Sequence, residues 1–410
     1  MIKTLPNTLA FLIPFAVAHA QVPPAVTGPK ALPGSGIVHY ALHYSQTAEF
    51  GSSLGDWQTS SASATADYAN NKTNVPFSLN YSGGYTWTLT GPAYATGLFQ
   101  HLFLSQGFVW DKWNAVASDD VSYRPQAPTT GFSGIPGIGE PIGVSSPAPP
   151  SSQSILTLNT HVVDNTVAGD LSRRVGSAYS VSVGGSSYLL RYPDANGIDT
   201  DSLTANGELS RRLNSRDSIA GRYLFSQFSY PNDNFRFITH TGLLDFTRAW
   251  NRKISTDIAA GPEWTTSSDS AVVPSALRPS AKASLTYHFR STAASISYNR
   301  YTNGGGGYLI GAESDSGIAN LSRDFGRSLT VGFDGAYTRT AGLLNNGITT
   351  AKYGGIQITR RFGPEVTIFA NYTATDQSTS SALPANTLSG LLQMASVGIG
   401  YGSRERHAGH

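Results

Sequence analysis

A short motif returns along the second half of this chain, roughly every 37 residues. It consists of an aliphatic residue or Phe, then Ser or Thr, usually Arg, any residue, and a bulky apolar residue. The copies read LSRRVG from Leu171, LSRRLN from Leu209, FTRAWN from Phe246, LTYHFR from Leu285, LSRDFG from Leu321 and ITRRFG from Ile358. Any fold proposed for the chain has to explain why this landmark recurs at that spacing.

Apolar and polar residues alternate on either side of each copy. After Ser328, for example, Leu329, Val331, Phe333 and Tyr337 fall on one side of an extended chain and polar residues fall on the other. A period of two is the pattern of β-strands with one apolar face. The chain carries no helical pattern of any length, so an all-β fold is predicted.

Each copy of the motif is followed by a short turn and a new alternating segment, whereas the connections at the other end are long and contain Pro, Gly, Asn and Asp. Six turns follow the copies, and two further short turns near Asn71 and Lys112 also join alternating segments. Eight turns imply sixteen strands, and a first strand (37–46) and a last strand (391–401) make eighteen. A barrel of sixteen strands is the alternative. The short turns are expected near Asn71, Lys112, Gly176, Ser215, Arg252, Ser291, Gly326 and Gly363.

Short turns on one side and long loops on the other are typical of outer-membrane barrels. Charged residues are only 13% of the chain, against about 25% in average soluble proteins. In lipid a sheet survives only without edges, because every backbone amide needs a partner. The prediction is one antiparallel up-and-down transmembrane β-barrel with periplasmic turns, extracellular loops and both termini in the periplasm. A soluble solenoid or sandwich is the alternative, but it needs a more highly charged surface.

The N-terminus has the features of a signal peptide. Lys3 precedes an apolar run from Leu9 to Ala18, and Ala18, His19 and Ala20 form a cleavage pattern. Because the chain has no Cys, disulfides, thiolate metal sites and lipid attachment through Cys are excluded. No later apolar run is long enough for a transmembrane helix. The expected segments are a signal peptide (1–20), a periplasmic segment (21–35), the barrel (36–402) with a Pro- and Gly-rich loop (124–156), and a tail (403–410).

The Arg of the motif shares its strand face with apolar residues two positions away, so it is expected to face lipid close to a turn. Arg costs about 2–4 kcal/mol at the bilayer midplane but near 0–1 kcal/mol at the interface, where it can reach phospholipid phosphates. The alternative is that Arg merely solubilises the turn. The predicted interfacial girdle is Arg173, Arg211, Arg248, Trp250, Tyr287, Phe289, Arg323, Phe325, Arg360 and Phe362.

The opposite strand faces are expected to line a lumen. Their residues are mainly neutral and polar, with a few charges of both signs, which suits uncharged hydrophilic solutes or glycans. His39 and His43 lie about 13 Å apart along one strand, too far for one metal ion. The predicted lining includes His39, His43, Asp257, Lys282, Asp334 and Asn371.

Two features bear on whether such a lumen is open. The Pro-rich loop is long enough for part of it to fold into the mouth, although an external loop without contact to the pore is the alternative. Bulky residues predicted to point inward, Phe369, Leu392 and Met394, indicate partial occlusion. The predicted constriction consists of Phe132, Ile135, Ile138 and Glu140.

The candidate catalytic patterns are weak. The GSSLG string at Gly51 lacks the strand-to-helix turn of a nucleophile elbow, and NGGGGY at Asn303 lacks the context of a phosphate loop and is interpreted as a flexible loop. His240 and Asp233 lie near one predicted outer loop, as in some barrel enzymes. No catalytic, cofactor-binding or metal-binding residue is predicted. The net charge of only +2 does not indicate nucleic-acid binding.

Four segments carry a family resemblance: YRPQAPTTGFSGIPGIGEP, GYLIGAESDS, YTATDQSTSSALPANTL and GIGYGSRERH. They resemble uncharacterised outer-membrane β-barrel proteins of acidobacteria, and the chain is more loosely similar to porin-like barrels and to barrels associated with exopolysaccharide export. The resemblance implies location and fold but no site residues. One departure is that Tyr401 is followed by GSRERHAGH, whereas many such barrels end in an aromatic residue read by the assembly machinery.

The sequence therefore predicts a porin-like channel of the bacterial outer membrane for small hydrophilic solutes or glycans. The alternative is a non-conducting barrel with a structural, adhesive or enzymatic role. The expected partners are outer-membrane lipids and lipopolysaccharide, the barrel-assembly machinery and the solute itself. Analogy with porin trimers adds a homo-oligomer to this expectation.

Overall fold

A computed structural model of the chain contains eighteen β-strands and describes residues 38–51, 56–70, 73–91, 96–126, 160–193, 197–269, 273–305, 309–343, 347–363, 365–380 and 389–402. The strands are β1 (Val38–Phe50), β2 (Trp57–Asn70), β3 (Phe77–Thr90), β4 (Gly97–Trp110), β5 (Trp113–Gln126), β6 (Thr160–Val175), β7 (Tyr179–Arg191), β8 (Thr200–Arg212), β9 (Asp217–Tyr230), β10 (Phe235–Ala249), β11 (Ile254–Ser267), β12 (Ala276–Phe289), β13 (Thr292–Asn303), β14 (Ala312–Phe325), β15 (Leu329–Gly342), β16 (Ile348–Phe362), β17 (Val366–Thr379) and β18 (Gly390–Gly402).

The strands form one closed antiparallel sheet. Each strand pairs with its neighbours in the chain, and β1 closes the ring on β18 in a register that places Ala41 opposite Gly402 and Phe50 opposite Gln393. The predicted all-β barrel of eighteen strands is confirmed, and the alternative of sixteen strands is wrong. Closure leaves no strand with an unpaired edge, which is the condition for a sheet to survive in lipid.

The connections differ between the two ends of the barrel. Short turns join β2 to β3, β4 to β5, and so on at every second connection up to β16 and β17, as predicted. The end of the barrel at which they lie is called the short-turn end. The other end, called the long-loop end, includes the connection of residues 127–159. Gly176, Gly326 and Gly363 each adopt a φ of 68° in short turns. This left-handed conformation favours glycine, which explains the Gly that ends three copies of the motif.

The two faces of the strands differ in character. Outward residues are large and apolar, and Leu244 and Leu277 are 62% and 63% exposed. Their inward neighbours are mostly Ser, Thr and other polar residues, such as Ser226 and Thr241 at 2% and 1% exposure. The alternation therefore places the hydrophobic side chains outside the barrel and the polar ones inside, the reverse of a soluble protein.

The inward residues are packed unevenly along the barrel axis. In β8, Thr200, Ser202 and Thr204 are buried near the long loops, whereas Ser210 is half-buried and Arg212 is exposed at the short turns. The same gradient runs along β16, from buried Thr349 to the exposed short-turn end of that strand. The lumen is thus more tightly packed in its long-loop half and widens toward the short turns.

Several predicted segments lie outside the described residues. These are the signal peptide (1–20), the segment 21–35, the tail 403–410 and, apart from the last three residues of β5, the Pro- and Gly-rich loop 124–156. Within the described parts of the chain, no helix has the length and apolar character that a membrane crossing requires.

Candidate functional site: the barrel lumen

The residues predicted to line the lumen all lie on inward strand faces. His39 and His43 alternate with the exposed Tyr40 and Leu42 along β1, and Asn371 alternates with exposed Tyr372 along β17. Asp257 and Asp334 likewise alternate with the exposed Ile258 and Phe333, and Lys282 is buried between the half-buried Ala281 and Ala283. The described residues contain no group of three or more His, Asp or Glu that could hold a metal ion.

A chain of ion pairs runs across the lumen wall from β8 to β10. The Arg222 guanidinium donates through Nε and Nη2 to Glu208 Oε2 at 3.0 and 2.8 Å, and through Nη2 to Asp245 Oδ2 at 3.2 Å. Farther along, Lys282 Nζ lies 3.8 Å from Asp257 Oδ1. Strand register brings these groups together on one face: Glu208 is directly opposite Arg222, and the other two pairs are diagonal neighbours. Most of the charge on this wall is therefore compensated by local partners.

The wall formed by β4–β6 carries acidic groups of a different kind. Asp120 Oδ1 lies 2.8 Å from His101 Nε2, and Ser122 donates a hydrogen bond of 2.5 Å to Asp164 Oδ1. Asp170 lies over Gly184, where a side chain would collide with its Oδ1. His101 and Ser122 are neutral or weakly basic, which distinguishes these contacts from the ion pairs of Arg222 and Lys282.

The connection between β13 and β14 is called the crossing loop, and its described residues, 304, 305 and 309–311, lie on the lumen side of the wall. Leu309 belongs to a buried cluster with Val162 of β6 and with Leu190 and Tyr192 at the end of β7. These residues come from a distant part of the ring of strands. The contact across the lumen buries apolar side chains at the long-loop end, where the wall alone offers mainly hydroxyl groups.

A second buried cluster lies beside the first. It contains Phe228, Tyr230, Phe235, Phe237, Val273 and Leu343. Gly304 lies against Phe228, and Gly311 lies against Phe237 and Leu343, so closely that added Cβ atoms would come within 3.4, 3.0 and 2.8 Å. The backbone amide of Leu343 also donates to the carbonyl of Gly311 at 3.2 Å. The crossing loop is thus anchored at both of its described ends.

The NGGGGY segment, interpreted from the sequence as a flexible loop, is described only at residues 303–305, which are packed, and residues 306–308 lie outside the described residues. The glycines of the crossing loop allow positive φ at Gly305 and Gly311 (77° and 72°), and they allow close approach to aromatic rings. The side chains that hold the loop are far away in sequence, so the local pattern could not reveal them. The predicted constriction residues Phe132, Ile135, Ile138 and Glu140 lie outside the described residues.

The outward face of the short-turn end carries a ring of cations stacked on aromatic side chains. Arg173 lies 4.9 Å from the Trp113 ring centroid, and Arg211 lies 5.4 Å from Tyr179, each contact joining two paired strands. Other pairs lie two residues apart in one strand. These are Arg248 with Trp250 at 4.4 Å, Arg323 with Phe325 at 5.1 Å and Arg360 with Phe362 at 4.9 Å.

The remaining predicted girdle residues also lie at this end. Phe289 is contacted by Lys253 Nζ at 3.6 Å and by the Arg290 guanidinium at 5.1 Å. Tyr287 is opposite Ala294 and half-buried. Stacking on an aromatic face keeps a cation attractive to anions while its stem covers apolar surface.

The weak catalytic candidates are not brought together. His240 points outward, where its Nδ1 lies 2.7 Å from the Tyr223 hydroxyl, and Asp233 lies in the turn between β9 and β10. Residues 52–55 of the GSSLG string lie outside the described part of the chain.

Comparison with known proteins finds no matching family model and no matching curated sequence. Solved structures with a similar fold include three from Pseudomonas aeruginosa. OpdQ is 12% identical with a TM-score of 0.44, covering 89% of this chain and 98% of that one. OccK2 (OpdF) is 12% identical with a TM-score of 0.46, covering 89% and 97%. OprD is 9% identical with a TM-score of 0.42, covering 90% and 97%. Because these identities and TM-scores are low, functional conclusions are drawn only from the residues of this chain.

Proposed function

We propose that this chain is a porin-like channel of a bacterial outer membrane through which small hydrophilic solutes or glycans pass passively. The observation that carries the proposal is the division of the strands into an apolar outward face and a hydroxyl-rich inward face around a sheet without edges. A polar lumen enclosed by an apolar exterior is the arrangement of a transmembrane β-barrel channel. No enzymatic role is proposed.

Placement in a membrane follows from the exterior. Exposed Leu, Ile, Val and aromatic side chains occur on the outward faces around the barrel. A continuous apolar belt of this kind is unfavourable in water and favourable against lipid tails. Export through a cleaved signal peptide (1–20) and assembly by the barrel-assembly machinery belong to the same proposal, and they are supported by the residue pattern of the N-terminus and by barrel closure.

The ring of stacked cations supports a lipid-interface role for the predicted girdle. At the short-turn end, Arg211 and Arg360 lie on the outward face beside aromatic side chains. We place this ring at the phospholipid headgroups of the periplasmic leaflet, because cations attract phosphates and aromatic rings favour the interface. Lipopolysaccharide at the opposite leaflet and a homo-oligomer are further parts of the proposal.

Conductance of purified, folded protein in planar lipid bilayers tests the channel. Stepwise increases in current are expected, because eighteen strands enclose more space than the lumen side chains can fill. Heat-unfolded protein from the same preparation is the control for detergent and contaminants. Absence of current steps from correctly folded protein would overturn the channel function.

A non-conducting barrel is the second candidate, and one observation favours it. Phe369, Leu392 and Met394 point inward from β17 and β18 and are 2%, 5% and 8% exposed. Together with the crossing loop they fill much of the long-loop half. Bilayers that stay silent with wild-type protein but conduct after Phe369→Ala and Leu309→Ala substitutions would assign the chain to this second class.

A further inference from the structure

A polar cavity of about 490 Å³ opens on the lumen side of β12–β16, toward the short-turn end. Its size falls in the range of about 300–1,000 Å³ that is typical of small-molecule sites. It lies outside the ion-pair chain and the crossing loop. The side chains that line it on the inward faces are Thr286, His288, Ser295, Asn320, Ser322, Thr330, Asp334, Gln357 and Thr359.

Asn320 and Asp334 are directly opposite each other in the β14–β15 ladder. Directly opposite residues share a face and have Cβ atoms about 4.5–5.5 Å apart. Both side chains therefore enter the same part of the cavity. The pairing joins an amide and a carboxylate that are separate in the sequence.

Each of these side chains has unused acceptor capacity. Asn320 donates through Nδ2 to Ser295 Oγ at 3.4 Å, whereas its buried Oδ1 has no hydrogen-bond partner. Among the described residues, no hydrogen bond or ion pair reaches the Asp334 carboxylate. A buried acceptor without a donor costs roughly 1–3 kcal/mol, so a ligand that brings donors to both groups is favoured.

The charge of the cavity selects among such ligands. Asp334 is the single carboxylate among the described lining residues, and none of them is Lys or Arg. The other lumen carboxylates near this wall are already engaged, since Asp257 faces Lys282 at 3.8 Å. An ammonium group supplies several donors and a positive charge to the Asp334 carboxylate, and the surrounding Ser, Thr and Gln groups suit hydroxyls.

Resting on the proposed channel function, we propose that Asn320 and Asp334 form a lumen subsite for small solutes that carry an ammonium group together with hydroxyl groups, such as an amino sugar. The carboxylate of Asp334 pairs with the ammonium, and Asn320 Oδ1 accepts one of its hydrogen bonds. Neutral sugars of the same size use only the hydroxyl and amide groups, and sugar acids are repelled by Asp334.

Uptake into liposomes that contain the full-length protein tests the subsite. The probes are glucosamine, glucose and glucuronate, which share one ring size, at about pH 7, where the amine of glucosamine is mostly protonated and the carboxyl group of glucuronate is ionised. We expect glucosamine to enter roughly twofold to fivefold faster than glucose, the range for one partly exposed ion pair, and glucuronate to enter more slowly than glucose.

Three variants separate a subsite from a general field in the lumen. Asp334→Asn is expected to abolish the advantage of glucosamine, and Asp334→Glu is expected to keep it. Asp170→Asn removes a lumen carboxylate outside the cavity and is expected to leave the advantage intact. Heat-modifiable migration of the folded barrel verifies that each variant is folded.

The outcomes are distinct. Equal uptake of glucosamine and glucose by the wild-type protein, or equal loss in Asp170→Asn and Asp334→Asn, would overturn the subsite while leaving the channel intact. Exclusion of all three sugars by correctly folded wild-type protein would overturn the channel and the subsite together.

Discussion

The Tyr230 hydroxyl donates a hydrogen bond of 3.0 Å to the carbonyl oxygen of Gly304, and this bond ties the end of β9 to the crossing loop. Tyr230 is 1% exposed and lies at the centre of the second buried cluster. The two residues are 74 positions apart. Their contact shows how the barrel holds a loop across its own lumen, with one polar bond set among apolar side chains.

Removing this hydrogen bond is expected to loosen the crossing loop without unfolding the barrel. Tyr230→Phe keeps the ring in its cluster but leaves a buried carbonyl without its donor, at a cost of roughly 1–3 kcal/mol. Faster amide hydrogen exchange is expected in residues 304–311. Tyr372→Phe is the control, because Tyr372 makes its hydrogen bond to Gln393 on the outer face. Unchanged exchange in Tyr230→Phe would show that the apolar clusters alone hold the loop.

A side chain at Gly311 is expected to displace the crossing loop. Gly311 has a φ of 72°, and its Cβ would come within 2.8 Å of Leu343 Cδ1 and 3.0 Å of Phe237 Cε1. Gly311→Ala therefore combines left-handed strain of about 1–2 kcal/mol with a collision. Larger single-channel conductance and a lower unfolding temperature are expected. Gly354→Ala, where an added Cβ meets nothing within 4 Å, should change neither quantity.

Loss of Arg222 is expected to shift the lumen toward cations and to destabilise the barrel. Arg222→Met leaves Glu208 and Asp245 without the guanidinium that lies 2.8 and 3.2 Å from them. Breaking a buried pair costs roughly 3–5 kcal/mol. The reversal potential in a salt gradient and the unfolding temperature measure the two effects. Adding Glu208→Gln and Asp245→Asn should restore both, and failure of this rescue would contradict a purely electrostatic role.

Three Arg pairs provide a matched test of the lipid interface. Arg173, Arg211 and Arg360 lie outward, and each is followed by an Arg on the inward face. Replacement of the three outward residues by Leu is expected to slow assembly and lower the heat resistance of the folded barrel in bilayers. Replacement of Arg174, Arg212 and Arg361 by Leu removes the same charge and should have a smaller effect on assembly and heat resistance. Equal effects of the two triple variants would favour the simpler role of solubilising turns.

Much of the barrel could be predicted because strand formation is local. Alternation such as that from Leu329 to Tyr337 predicts which strand face is apolar. A Gly at the end of the motif, such as Gly326, permits the left-handed backbone of the turn. Counting turns then yields the number of strands, and the absence of edges in lipid requires closure. The inward placement of Asp257 and Lys282 follows from the same alternation.

The lumen contacts could not be predicted in this way. The contact of Tyr230 with Gly304 and the clustering of Leu309 with Val162 join strands that never pair. No local period encodes such contacts, because they depend on how closure and stagger bring distant walls together. A glycine-rich segment has the same appearance whether it is mobile or packed against aromatic rings.

The sequence by itself determined the all-β barrel, the two faces of its strands and the end at which the Arg residues lie, and it favoured eighteen strands over sixteen. These follow from alternation and turn chemistry, which act over a few residues. Only the tertiary structure decided that Leu309 of the crossing loop packs against β6 and β7, that Arg222 joins two carboxylates, and that Asn320 lies opposite Asp334. Those relationships arise from strand register and closure of the sheet, and both are properties of the whole ring of strands.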